Sequence, residues 1–291
     1  MIRRFQYASV ILAALLLWGC KKDDAVISMD PTKVTMEIVE TVTRTATEGT
    51  NTRFELGDKI AITSVGLVED MNATEHTLVG DMQLEGGEYY FDWNTPALFY
   101  AHYPHTAISE DDLVRMRIDS DQSSEEKFNL NDFMTSTVVG DPRDGGNVRF
   151  RFNHRTVLVK VVWNGILDAT GATLGGIQSE AVWQKSTNSI SSEGGHISIR
   201  MWRHDESRNE YWALIPPQVV PAGTELVKLT DPVQEFTYTT TSDIRFNSGS
   251  IKTIILTQNM DGTVQVTFSD IDIENWSDDN NMTDGTVDVK R

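Results

Sequence analysis

The chain has 291 residues and a formal net charge of −18, with 43 acidic side chains against 25 Lys and Arg. That balance argues against nucleic-acid binding, because phosphate backbones need a basic surface. Hydrophobic residues make up 39% of the chain, which is enough for a buried core, and the length suits one large or two ordinary domains of about 100 to 150 residues.

The first 19 residues have the organisation of a secretory signal. An arginine pair precedes an apolar stretch over residues 7–17, which is too short to span a bilayer as a stable helix. The stretch leads to Cys20, the only cysteine in the chain. We predict a signal peptide over residues 1–19 and a short polar tether over residues 20–30. The position of Cys20 directly after this segment indicates that the cysteine has a role of its own. The alternative is an ordinary signal peptide in which the position of the cysteine is incidental.

Alternation with a period of two dominates the chain from residue 31 onwards, which is typical of half-buried strands. In the first half it predicts strands at Val34, Met36, Ile38; Ile60, Ile62; Tyr89, Phe91, Trp93; and Val114, Met116, Ile118. In the second half it predicts strands at Val148, Phe150, Phe152; Val157, Val159, Val161, Trp163; Ile197, Ile199, Met201; Phe236, Tyr238; Ile254, Leu256; and Val264, Val266, Phe268. The best helical candidate is a single turn over residues 130–134. The chain is therefore predicted to be all-β, with two sandwiches.

Breaks between the strands follow from turn residues and from changes in parity. The inward parity changes between Phe152 and Val157, which predicts a bulge or turn at 153–155. Glycine-rich turn signals occur at three places, and the last predicts a hairpin: 144–146, 193–195 and 261–262. A polar segment ends near residue 146, where we place the domain boundary, giving domains 31–146 and 147–291.

Candidate metal ligands are few. His102 and His105 lie three residues apart, so on an extended chain they point to opposite faces and predict no metal site. His154 follows an alternating run at the predicted turn, which favours a buried, hydrogen-bonded structural histidine. The acidic segment 278–285 lacks the ligand spacing of a calcium loop and is interpreted as a solvated loop. We therefore predict neither a metal nor a cofactor.

No pattern in the chain points to catalysis. There is no phosphate-binding loop of the Walker type, no dinucleotide-binding glycine fingerprint and no nucleophile elbow. Carboxylates are abundant, but no pair can be named as the acid and base of a glycosidase. We predict a protein that is not an enzyme, with no catalytic residue. A surface hydrolase would require a cleft with converging carboxylates.

Seven stretches, in this order, resemble the fimbrillin-like family of Bacteroidetes: TRFELGDKIAI (52–62), DWNTPALFYAHYP (92–104), LNDFM (130–134), VRFRFNHRTVLVKV (148–161), ALIPPQVVPAG (213–223), FNSGS (246–250) and IENW (273–276). The resemblance implies two tandem transthyretin-like β-sandwich domains made as a lipoprotein precursor. It also implies that a protease cuts after an arginine near the N-terminus and removes the first strand. A strand from the next subunit then fills the vacated groove.

Two sequence features fit that maturation. Residues 17–20 resemble the bacterial lipobox, which implies a lipid, such as palmitate, on Cys20, and residues 21–24 look like the surface-export signal of Bacteroidetes lipoproteins. Cleavage is expected after Arg44 or Arg53, since both follow the predicted first strand in a polar stretch. The alternative is an uncut chain in which both arginines lie on the surface. The expected location is the outer membrane at the cell surface and the fimbrium.

The function implied is that of a fimbrial (pilus) subunit or accessory component in adhesion or assembly by donor-strand exchange. Its partners would be other fimbrial subunits, outer-membrane lipid through Cys20 and a host or bacterial surface receptor. The tail after Trp276 has few apolar residues, so the chain is expected to accept a strand better than it gives one, as a tip or anchor component would. The rival is a surface glycan-binding lipoprotein of a polysaccharide-uptake system, with a platform drawn from Trp93, Trp163, Trp183, Trp202 and Trp212.

Overall fold

The computed structural model describes residues 31–39, 54–271 and 287–290. The predicted all-β class is confirmed, since strands make up most of the described chain. The strands are β1 (Thr35–Ile38), β2 (Lys59–Val65), β3 (Thr74–Leu78), β4 (Leu84–Glu85), β5 (Ala97–Tyr103), β6 (Ile108–Glu110), β7 (Leu113–Arg117), β8 (Met134–Gly140), β9 (Asn147–Phe150), β10 (Asn153–His154), β11 (Val157–Asn164), β12 (Gly171–Gln184), β13 (Ser189–Arg200), β14 (Trp202–Asp205), β15 (Glu210–Ile215), β16 (Gln218–Val220), β17 (Glu225–Thr230), β18 (Glu235–Thr239), β19 (Ile244–Phe246), β20 (Ile251–Gln258), β21 (Val264–Ile271) and β22 (Val287–Lys290).

Five groups of paired strands make up the fold. The largest sheet has the order β22-β18-β17-β12-β7-β6, with β13 paired to β12. A six-stranded sheet has the order β10-β8-β5-β2-β3-β4, and a five-stranded sheet has the order β14-β15-β11-β20-β21. Two pairs complete the set: β1 runs parallel to β9, and β16 runs antiparallel to β19.

Two separate hydrophobic cores lie between these sheets. The five-stranded and seven-stranded sheets face each other across the larger core, to which Trp163 and Trp183 contribute fully buried indole rings. The six-stranded sheet and the β1–β9 pair enclose the smaller core, which holds Phe91, Phe99 and Phe150. Each core is built from the inward-facing half of alternating strands, as the period of two requires.

The chain does not complete one core before it starts the other. Strands β6 and β7 precede the smaller core's β8 and β9 in sequence but pair within the seven-stranded sheet, where β7 lies beside β12. Gln122 reaches the five-stranded sheet and exchanges two hydrogen bonds of 2.8 Å with the backbone of Leu214. The division into domains at residue 146 and the transthyretin-like topology stay predictions.

The single α-helix of the described chain, α1 (Glu125–Asn129), begins earlier than predicted. Oγ of Ser124 accepts a hydrogen bond from the backbone N–H of Lys127 and caps the first turn, while two glutamates follow the cap. Phe128 is buried against Trp202 and Trp212 on the outer face of the five-stranded sheet. The predicted turn at 130–134 was wrong because the capping serine, not the later apolar residues, sets where the helix starts.

The predicted break between Phe152 and Val157 is confirmed, but residues 153–154 form the short strand β10 rather than a bulge or turn, and the strands are interrupted at 151–152 and 155–156. The predicted hairpin of β20 and β21 is also confirmed. Phe152 lies in the smaller core and Val157 in the larger one, so the chain changes sandwich at this point. The turn predicted at 193–195 was wrong. There β13 continues through a bulge, with Gly194 at a φ of +87° beside the register shift against β12.

A strand predicted over residues 89–93 is reduced to isolated bridges. Phe91 is buried and bridges to Leu67, but Trp93 has a φ of +55° and is 56% exposed. The backbone N–H of Thr95 donates to the carbonyl of Asp92, which makes a turn of this stretch. A positive φ is incompatible with a strand, so the alternation ends one residue before the tryptophan.

Candidate assembly site: the first strand and its groove

Strand β1 is held on both of its edges. On one edge it runs parallel to β9, with Met36 opposite Val148 and Ile38 opposite Phe150. On the other edge the backbone N–H of Val34 donates to the carbonyl of Tyr89 over 2.8 Å. The first described strand of the chain is therefore an inserted strand with backbone partners on either side, rather than an edge.

One face of β1 fills the smaller core. Val34, Met36 and Ile38 are 5%, 4% and 4% exposed, and they belong to the same buried cluster as the inward side chains of the six-stranded sheet. Burying each of these side chains is worth roughly 1.5 to 3 kcal/mol. Residues 34–38 thus contribute several kcal/mol of apolar burial from only five residues. Without β1, the groove between β9 and residues 83–91 would be apolar and open.

The outward face of β1 is charged and paired. Oε1 of Glu37 lies 2.6 Å from Nε of Arg149 on β9, and Oε2 accepts a hydrogen bond from Nε2 of Gln83 over 3.2 Å. Nζ of Lys33 lies 2.7 Å from Oε1 of Glu88, and this ammonium lowers the pKa of the Glu88 carboxyl. The side chain of Arg149 is 68% exposed, so its pairing fixes position more than it stabilises the fold.

The turn before β9 makes a close backbone contact with β1. Gly146 has a φ of +76°, and its carbonyl accepts the backbone N–H of Thr35 over 2.9 Å. A Cβ atom at Gly146 would collide with the carbonyl oxygen of Lys33 and would lie 2.9 Å from Cγ2 of Thr32. The glycine is required both by its φ and by the approach of the strand.

Several predicted site residues lie outside the described residues. These are Cys20, Arg44 and Arg53, together with the acidic segment 278–285. In the sequence, both arginines fall between Val39, one residue past the end of β1, and Phe54, where the description resumes. Phe54 packs against Tyr103 and Phe152, with ring centroids 5.5 and 5.0 Å apart. The chain is therefore anchored on both sides of the stretch that contains the candidate cleavage sites, by β1 before it and by Phe54 after it.

The histidines have structural surroundings. His154 places Nδ1 2.6 Å from Oδ1 of the buried Asp132, so the predicted hydrogen bond is present, but the histidine side chain is 19% exposed rather than buried. His102 lies within β5 and is 1% exposed, and burial lowers its pKa to about 4. His105 contacts Glu75 over 3.3 Å. Within the described ranges, no three His, Cys, Asp or Glu side chains are grouped as a metal site would need.

The five tryptophans of the rival hypothesis are not assembled into one exposed platform. Trp163, Trp183 and Trp212 are each at most 3% exposed, Trp202 is half-buried, and Trp93 alone of the five is largely exposed. Trp212 is covered by a stacked His204 ring at a centroid distance of 3.5 Å. The described part of the chain also has no helix that is long and apolar enough to cross a membrane.

Sequence reasoning missed the residues that line the charged rim of the groove. No pattern in the sequence singled out Arg149, Glu88 or Gln83. Glu37 and Arg149 are 112 residues apart in sequence, and their pairing depends on the parallel register of β1 and β9. Gly146 was recognised as part of a turn, but its contact with β1 was not.

A strand that completes a core and lies directly before a polar, arginine-containing stretch is what the fimbrillin resemblance implies. A family model described as fimbrillin-like matches residues 43–276. The chain belongs to the fimbrillin-like family. No curated protein matches it.

Solved structures share the fold of this fimbrillin-like chain. A candidate cell adhesion protein of Bacteroides uniformis is similar with a TM-score of 0.63 and 17% identity, over 83% of this chain and 98% of its own. One from Bacteroides ovatus has a TM-score of 0.65 and 15% identity, over 86% and 98%. One from Bacteroides thetaiotaomicron has a TM-score of 0.51 and 17% identity, over 80% and 95%. At these identities the likeness establishes the fold of the fimbrillin-like chain and nothing finer.

Proposed function

We propose that this chain is a non-catalytic subunit or accessory component of a cell-surface fimbria, which is assembled by exchanging β1 for a strand of another subunit. Membership of the fimbrillin-like family supports the fimbrial role. The observation that carries the exchange is the seating of β1, with three buried side chains and backbone partners on both edges. The strand also lies directly before the stretch that contains Arg44 and Arg53.

Cleavage after either arginine would leave β1 held by non-covalent contacts alone. Its departure would expose an apolar groove and the unpaired N–H and C=O groups of β9 and of residues 83–91, a combination that an incoming strand satisfies. Because the donated strand and the groove are different surfaces, each donation leaves another surface free. The assembly is then head-to-tail and gives a filament rather than a closed dimer.

The chain's own tail is a weak candidate donor, which favours a tip or anchor position. In the structure its last described strand, β22, pairs antiparallel with β18 in the seven-stranded sheet. Beyond Trp276 the tail has only Met282, Val287 and Val289 as apolar residues. Purified, protease-treated chains should therefore form few SDS-resistant ladders by themselves, and efficient self-ladders would contradict this position.

A lipid on Cys20 would deliver the precursor to the outer membrane and hold it at the cell surface. The support is the sequence resemblance to a lipobox, with an apolar run before the cysteine. Metabolic labelling with palmitate should mark the unchanged precursor and leave a Cys20→Ser variant unlabelled. Labelling of the variant would contradict attachment at this residue.

N-terminal sequencing of the protein from isolated fimbriae tests strand removal. We expect chains that begin at Thr45 or Phe54. The charge-preserving variants Arg44→Lys and Arg53→Lys, made singly and together, identify the site used, and the double variant should keep β1. A blocked N-terminus at Cys20 in unchanged fimbriae would show that the chain is an uncut anchor and would contradict the exchange of β1.

A further inference from the structure

The groove around β1 has charged groups in positions that match those of the strand. The carboxylate of Glu37 bridges both neighbours, since it contacts Arg149 on one side and Gln83 on the other. Its side chain is only 23% exposed, so it is partly enclosed between them. Four residues earlier, Lys33 pairs with Glu88. The rim of the groove is therefore acidic beside the start of β1, at Glu88, and basic beside its end, at Arg149.

We infer that the groove selects its incoming strand by charge as well as by shape. The strand it fits runs parallel to β9, has apolar side chains where β1 has Val34, Met36 and Ile38, and has an acid at the place of Glu37 and a base at the place of Lys33. This inference rests on the proposed function. It names the chemistry of the partner strand, which the family resemblance does not supply.

The two kinds of contact have different tasks. The apolar side chains supply the affinity, because they are almost fully buried. The charges set the register, because a slip of one residue would turn the acid into the core and the apolar side chains towards solvent. The pair of Glu37 with Arg149 is exposed at its arginine end, so its loss should weaken binding by a factor of roughly two to five.

The backbone adds a third condition. The N–H groups of Val34, Thr35 and Val39 donate to the carbonyls of Tyr89, Gly146 and Phe150. Proline has no N–H to donate, so an incoming strand with proline at any of these three places would lose a hydrogen bond and leave a carbonyl of the groove unpaired.

The chain's own tail does not meet these conditions. Residues 284–290 read DGTVDVK, where β1 and its flanks over residues 33–39 read KVTMEIV. In this register Asp288 takes the place of Glu37, and the valines on either side of it take the places of Met36 and Ile38, which fits the groove well. However, a glycine takes the place of Val34, so the space in the core that the valine side chain fills would stay empty. Asp284 takes the place of Lys33 and would lie opposite the carboxylate of Glu88. Like charges directly opposite each other are destabilising. The groove therefore favours a strand from a different subunit over a second copy of this chain.

A displacement assay tests the selection. The chain from residue 21 to 291 receives a protease recognition sequence within residues 45–52, so that cutting frees β1 without depending on the natural cleavage site. Fluorescent ten-residue peptides of residues 31–40 and 282–291 then compete for the groove. We expect the first to bind at least about 10-fold more tightly than the second. A tail peptide carrying Asp284→Lys and Gly285→Val should recover most of that difference.

A charge exchange tests the register. A β1 peptide with Glu37→Lys should bind the unchanged groove more weakly and regain affinity for an Arg149→Glu groove. A peptide with Thr35→Lys and Glu40→Gln, which has the same net charge as the Glu37→Lys peptide but carries its new lysine at an exposed position opposite Asn147 rather than Arg149, should show no such recovery. This control separates a specific pair from general attraction between the peptide and an acidic protein.

The outcomes distinguish the two proposals. If no peptide displaces the cut β1, strand exchange itself is contradicted and the selection falls with it. If peptides exchange but the tail binds as tightly as β1, or the Arg149→Glu groove gives no recovery, the selection by charge and shape is contradicted while exchange stands. Tighter binding of the β1 peptide than of the tail peptide, together with recovered affinity in the Arg149→Glu groove, supports both strand exchange and selection by charge and shape.

Discussion

Gly146 lies so close to Lys33 that a Cβ atom on the glycine would collide with the carbonyl oxygen of the lysine. The two residues are far apart in sequence, and they meet because the turn before β9 passes under the start of β1. The neighbouring Gly145 has a similar φ of +79°, but a Cβ atom there would meet nothing within 4 Å. Substitutions at these two glycines therefore separate the free-energy cost of a left-handed backbone conformation from the free-energy cost of displacing β1.

We predict that Gly146→Ala destabilises the chain by about 2 to 5 kcal/mol, since the left-handed φ and the collision with β1 both contribute. Gly145→Ala, the matched control, should cost only about 1 to 2 kcal/mol from its φ. Urea denaturation measures both. Hydrogen exchange over residues 33–39 should also speed up in Gly146→Ala alone. Equal losses in the two variants would show that β1 does not need the close approach.

Ile38→Ala should lower the free energy of unfolding by about 2 to 5 kcal/mol, because it leaves a cavity where a 4% exposed side chain filled the smaller core. Thr35→Ser, on the exposed face of the same strand, is the control and should change it by less than about 0.5 kcal/mol. Chemical denaturation followed by tryptophan fluorescence gives both values. A loss below about 1 kcal/mol for Ile38→Ala would mean that the core does not depend on β1.

Gln122→Ala should cost about 2 to 4 kcal/mol, since the amide satisfies both the N–H and the carbonyl of Leu214 in a fully buried setting. Gln265→Ala, an exposed glutamine on β21, is the matched control and should be nearly neutral. Thermal and urea unfolding report the difference. If the two variants are equally stable, the segment around Gln122 is not anchored to the five-stranded sheet through this side chain.

Acid should destabilise the fold through His102. Burial lowers its pKa to about 4 from 6.5, with smaller contributions from the charges of Lys185 and His105, and Nε2 has no hydrogen-bond partner among the described residues. Between about pH 6.5 and pH 4, His102 therefore binds a proton in the unfolded chain but not in the folded chain. The stability from this neutral histidine is complete above about pH 6.5 and is lost as the pH falls towards 4, by at most about 3 kcal/mol.

The measurement for this prediction is the free energy of unfolding in urea between pH 7 and pH 4.5. A His102→Gln variant should show a shallower fall than the unchanged chain across that window. Burial also lowers the pKa of His76 in the same sheet, so some slope should persist in the variant. Identical slopes in both proteins would show that His102 takes up its proton without cost to the fold.

The local sequence was sufficient for features that depend on a residue and its near neighbours. Alternation with a period of two identified the buried face of β1 at Val34, Met36 and Ile38, because a strand sends successive side chains to opposite faces. The parity change before Val157 located the point where the chain leaves one core for the other. The hairpin of β20 and β21 followed from its turn residues.

Other features depended on which strands pair, and local patterns do not contain that information. Gly194 was predicted to end a strand, yet pairing with β12 carries β13 through it as a bulge. The contacts of Glu37 with Arg149 and of Gly146 with Lys33 exist only because β1 adopts one parallel register beside β9. Register is set by the simultaneous burial of side chains from distant segments. The alternation of the sequence therefore determined an all-β chain, and the family resemblance added the expectation that its first strand is removed, whereas only the tertiary structure decided what that strand touches.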